Sequence, residues 1–161
     1  MRSFTPLEAA LGVAVVGSIL AATVPTFVRN VHASRLVEPV DGLNRIATRA
    51  TWLAAGHAAE FAYPESVGLT PSEVPKGVSV SDPPGTWEHP TWRRLQFQWT
   101  VDHAYSFAFE SEAKPGAAVF RAFAHGDLDG DGLFSTFEIR GSTRDGGEPV
   151  TSPLSIYREL E

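Results

Sequence analysis

The sequence predicts an α+β fold in which one long N-terminal α-helix packs on a four-stranded antiparallel β-sheet. Three patterns predict it. Ala9 to Val28 is a twenty-residue stretch without a charge. Beyond it, apolar or small residues recur at helical spacing, at Leu36, Val40, Leu43, Ala47, Ala50, Ala54 and Phe61. From Leu95 onward the pattern changes to alternation, the period of a half-buried strand. At 161 residues there is room for one membrane segment and one soluble domain with its own core.

The first element is the apolar stretch, grouped as a transmembrane helix over residues 4–28. Its charge-free part would be about 30 Å long as a helix, the thickness of a bilayer's hydrocarbon. Glu8 stands at the edge of this run. An ionised carboxylate there costs about 2.5–3.5 kcal/mol on insertion scales, so an acid in this place calls for a cationic partner. A cleaved secretory signal fits less well, because the apolar stretch exceeds about 15 residues and only Met1, Arg2 and Ser3 precede Phe4. Residues 29–62 continue as an amphipathic helix, with Arg35, Glu38, Asp41, Arg45 and Arg49 between the apolar positions and an end near Gly56 to Ala62. Pro25 and Pro39 each remove a backbone donor and are expected to bend or loosen it.

Residues 63–161 form the globular head. Its first part, 63–92, carries six prolines and reads as a loop draped over the sheet, with Trp87 and Trp92 as anchors. Four strands follow, at Leu95–Val101, Tyr105–Phe109, Ala117–Ala124 and Leu133–Gly141. Asp102-His103 and Lys114-Pro115-Gly116 supply turn chemistry for a meander.

Counting from Phe4 as one, Glu8 is fifth, Gly17 fourteenth and Pro25 twenty-second. In these residues and spacings the N-terminus resembles the bacterial type IV prepilins and the related pseudopilins. The resemblance implies the type IV pilin fold and a leader of residues 1–3, cut between Ser3 and Phe4 by a prepilin peptidase that then N-methylates Phe4. Ser3 stands where family leaders end in glycine. Glu8, Gly17 and Pro25 would be assembly residues, with Glu8 pairing the new amine of a neighbouring Phe4 in a helical filament of identical subunits. The partners so implied are the peptidase, the pilus assembly machinery of the inner membrane and further copies of the chain. The precursor would lie in the inner membrane and the product in an extracellular pilus serving adhesion or motility. A pseudopilin of type II secretion, ending in the periplasm, is the alternative. A membrane-tethered calcium-binding module that never polymerises is a second.

The other candidate site is Asp127-Leu128-Asp129-Gly130-Asp131-Gly132-Leu133-Phe134-Ser135-Thr136-Phe137-Glu138. It fits the calcium-loop pattern, with Asp127, Asp129, Asp131, Ser135 and Glu138 offering side-chain oxygens and Leu133 a carbonyl. Its oxygen-only donors favour calcium, and its flanks read as strands rather than the helices of an EF-hand. A solvated Asp/Gly turn without metal is the competing reading. The net charge of −6 and the lack of a basic cluster argue against nucleic acid as a primary ligand. Cysteine is absent, which excludes disulfides and thiolate chemistry. Neither a nucleophile motif nor a phosphate loop is present, and the five histidines lack ligand spacing and read as surface residues, so no enzymatic activity is expected.

Overall fold

The computed structural model describes residues 5–158, and in its first helix it describes every side chain except those of Ala9 and residues 25–35. The chain forms two compact units, residues 1–36 and 37–161. Helix α1, Pro6–Ala54, contributes to both. It is unbroken through Pro25 and Pro39. It ends where Gly56 takes a φ of +77°, a left-handed conformation that closes helices without Cβ strain.

In the second unit, α1 buries Pro39, Gly42, Leu43, Ile46, Ala47, Ala50 and Ala54. Small residues dominate this stripe because the sheet comes close. A Cβ built on Gly42 would overlap the ring of Phe107. Phe61, expected on the same stripe, lies beyond the helix in a single 3₁₀ turn, Ala59–Phe61, and is exposed.

Among the described residues the sheet has six strands, not four. Three long ones form its centre: β2 (Tyr105–Lys114), β3 (Ala117–Gly126) and β4 (Ser135–Arg144). Short β1 (Val67–Thr70) pairs with β2, while β5 (Val150–Thr151) and β6 (Ser155–Tyr157) both pair with β4, all antiparallel. Alternation sets the inner face. Phe107 lies opposite Ala124, Phe109 opposite Ala122 and Phe120 opposite Gly141, so each large ring meets a small neighbour. Pro115-Gly116 makes the β2–β3 turn, with Gly116 at φ +78° as the second central residue of a type II turn requires.

The segment Leu95–Val101 is not a strand. Helix α2 (Pro90–Leu95) occupies its start, with Pro90 in the first turn, the His89 ring accepting from the Thr91 N–H and Gln96 closing the end at φ 50°. The alternating rings of Phe97 and Trp99 instead feed an aromatic cluster. Trp87 meets Trp92 edge to face at 5.4 Å and Phe97 at 5.3 Å, and Trp99 stacks on Phe107 at 5.5 Å. Trp87 and Trp92 do anchor the proline-rich segment. Their indole N–H groups donate to Asp82 Oδ2 (2.6 Å) and Thr70 Oγ1 (2.9 Å). Each such buried ring contributes about 1.5–3 kcal/mol by leaving water.

Candidate functional site

The N-terminal part of α1, Pro6–Val24, is long and apolar enough to cross a membrane, and its described side chains are exposed throughout. No described residue of its own unit covers this surface. Polar groups along it are satisfied locally: Ser18 Oγ donates to Ala14 O (2.8 Å) and Thr23 Oγ1 to Ile19 O (2.9 Å). Glu8 closes a capping box. The Thr5 N–H and hydroxyl donate to Glu8 Oε2 at 2.8 and 2.9 Å, and the Glu8 N–H donates back to Thr5 Oγ1 at 3.3 Å. This partner is legible in the sequence as Thr-x-x-Glu before an apolar run. No cation pairs with Glu8 among the described residues. Gly17 has open space where a Cβ would stand. Ser3 and Phe4 lie outside the described residues, and of Pro25 only the helical backbone is described.

The aspartate loop joins β3 to β4. Asp127, Asp129 and Asp131 bring one carboxylate oxygen each within 4.8 Å of one another. Asp127 is buried and accepts from the N–H groups of Gly130 (2.8 Å) and Gly132 (3.1 Å). Asp129 and Asp131 are exposed and accept from the Asp131 and Leu133 N–H groups at 3.2 and 2.7 Å. Gly130 and Gly132 hold φ values of +81° and +91°, which the tight turn requires. Behind it, the Gly77 N–H donates to Asp127 O at 2.7 Å, so the 70s segment braces the loop.

Two other expected ligands are engaged elsewhere. Ser135 is buried and its hydroxyl donates to Gly126 O at 3.2 Å. Glu138 faces the outer side of β4, where Arg121 Nε and Arg140 Nε each donate to one of its oxygens at 2.5 Å. Burial opposes its ionisation, but these two guanidinium bonds prevail and hold its carboxyl below the usual range. Leu133 remains in the loop. The three aspartates form an oxygen-only set without a paired cation among the described residues, which fits a hard divalent ion.

Two features of the globular unit gave no sequence signal. Glu38 of α1 turns its carboxylate onto the start of β2, accepting from Ala104 N (3.1 and 3.0 Å to its two oxygens) and Tyr105 N (2.9 Å). Burial pushes its carboxyl up, against the opposing pull of those N–H groups and of His103. His103, expected at the surface, is 1 % exposed. Both its ring nitrogens are occupied, Nδ1 by Tyr105 O and Nε2 by Asp82, so it reaches no outside substrate. His125 pairs with Thr136 Oγ1 at 2.9 Å, and burial followed by nearby Arg121 pushes its imidazole down.

No family model, curated protein or solved structure matches the chain.

Proposed function

We propose that this chain is a structural subunit of a type IV pilus filament, cut before Phe4 and polymerised through the N-terminal part of α1. The supporting observation is a helix exposed and apolar over Pro6–Val24 whose one charge, Glu8, meets only its own capping residue Thr5 among the described residues. A surface of that kind is stable in lipid or against copies of itself. The spacing of Phe4, Glu8, Gly17 and Pro25 selects the second. In this reading the role is structural rather than catalytic, and the aspartate loop holds calcium to stiffen the globular unit. That loop also favours the pseudopilin alternative, whose fibre would be short and periplasmic.

Glutamine in place of Glu8 separates capping from pairing, because Gln also closes a capping box but carries no charge. Glu8→Gln is expected to leave helix content unchanged by circular dichroism while abolishing recovery in sheared surface fibres. Assembly of the Gln variant at wild-type level sinks the pairing. Intact mass of fibre protein should show loss of residues 1–3 and gain of one methyl group.

A further inference from the structure

The His103 side chain is fully buried and that of Asp82 is 7 % exposed, with Nε2 and Oδ2 2.9 Å apart. On the other side of the ring, Nδ1 lies 2.8 Å from the carbonyl oxygen of Tyr105. A carbonyl only accepts, so Nδ1 carries a hydrogen. The gap between Nε2 and Oδ2 holds a second proton, since without it a nitrogen lone pair would face an anionic oxygen at hydrogen-bond distance in a dry core. The same Oδ2 accepts from Trp87 Nε1 at 2.6 Å, which ties the proton to the aromatic cluster.

Around it, the segment carrying Asp82 is held by few other bonds. Val80 and His103 exchange backbone hydrogen bonds at 2.8 and 3.0 Å, and Ser81 Oγ donates to Asp102 Oδ1. The charged groups that face the ring are Asp82 from this segment and Glu38 from α1, whose carboxylate attracts the His103 charge. Asp102 is occupied by Ser81, and the Arg45 guanidinium lies over Phe97 and Trp99, the latter 6.5 Å from the His103 ring.

We propose that the single buried proton between His103 and Asp82 latches the segment 80–82 onto the aromatic cluster, and that the segment opens when this proton is lost. Opening uncouples Trp87 from Asp82 and exposes its contacts with Trp92 and Phe97. The device makes one surface of the globular unit proton-dependent.

Hydrogen exchange by mass spectrometry on the full chain in detergent tests this between about pH 5 and pH 8, the range in which imidazoles commonly change charge, after correction for chemical exchange rates. Protection of the peptide covering Val80 and Asp82 is expected to fall at least about tenfold with rising pH while β3 amides stay protected. Asp82→Asn removes the shared proton, and its amide cannot both donate to a bare Nε2 and accept from Trp87 Nε1 as Oδ2 does, so the segment should be weakly protected at every pH and its profile flat. A flat wild type, or a variant falling in parallel with it, overturns the proposal. A measurement on the wild type alone covers a variant that misfolds. The imidazole nitrogen signals of His103 should lose the Nε2-bound proton over the same pH interval as the peptide opens, and persistence of that proton through the opening also overturns the proposal.

Discussion

Glu38 is half-buried and Tyr63 buried, and among the described residues their polar groups have opposite levels of satisfaction. Glu38 accepts from the Ala104 and Tyr105 N–H groups at the start of β2, so Glu38→Ala removes an acceptor from each and should cost about 1–3 kcal/mol. Glu38→Gln retains an acceptor and removes the charge. Because burial raises the carboxyl, this group's stabilising protonation is complete below its ordinary value of 4.5 and is lost as pH rises through its raised folded value. The Gln variant should therefore show a flatter dependence of melting temperature on pH from 4.5 upward than the wild type. Tyr63 instead buries a hydroxyl with no partner among the described residues, and burial pushes it up to about 12. Its ring still packs edge to face on Phe120 at 5.0 Å. Tyr63→Phe keeps that packing, so thermal melts should show equal or higher stability at neutral pH. The wild type should lose more stability than the variant as pH rises from 10.0 to about 12. None of this was legible from residue order, since each partner lies far along the chain.

Among the elements, legibility followed length and locality. Strands β2, β3 and β4 were legible because alternation at Tyr105–Phe109, Ala117–Ala124 and Leu133–Gly141 marks the better part of each, although β2 and β3 run on beyond it to Lys114 and Gly126. Leu95–Val101 alternates just as cleanly, yet a proline-started helix and an aromatic cluster claimed it, and alternation by itself does not distinguish a sheet neighbour from a ring neighbour. The strands β1, β5 and β6 span two to four residues and carry no period to detect. Helix and sheet meet at Gly42, where a Cβ would drive into Phe107. Gly42→Ala should overpack this seam and cost about 1–3 kcal/mol in a denaturant titration, although the same change on an open helix face would stabilise. The aspartate loop was visible as a pattern, but of its five side-chain ligands the three aspartates converge while Ser135 bonds Gly126 O and arginines on neighbouring outer positions capture Glu138. Calcium at about a hundred times its dissociation constant should stabilise the folded chain by about 2.7 kcal/mol over chelator, an effect absent in Asp127→Asn. An unchanged melting curve removes the metal.

At the scale of the whole molecule, the N-terminal unit carries a helix apolar enough to span a membrane. Leu7, Leu11, Val13, Val16, Ile19 and Leu20 are all more than half exposed, a surface that water does not tolerate at this length. The chain should therefore fractionate with membranes and resist alkaline carbonate extraction. Val16→Arg, which places a cation in the middle of the apolar run, should weaken insertion by about 2.5–3.5 kcal/mol and shift protein into the soluble or degraded fraction. The fold class and this apolar run were both readable from composition and period, whereas the six-stranded sheet required tertiary pairing to appear. That sheet also bears on crowding. Its outer strands are β1, four residues between Pro64 and Pro71, and β5 and β6, two and three residues with Pro149 and Pro153 beside them. Prolines and short runs leave few free N–H groups in a row to template another chain. Globular units held at the high local density of a fibre would thus have poor edges for zipping together, and the hazard of amyloid-like fusion is blunted at the margins of the sheet.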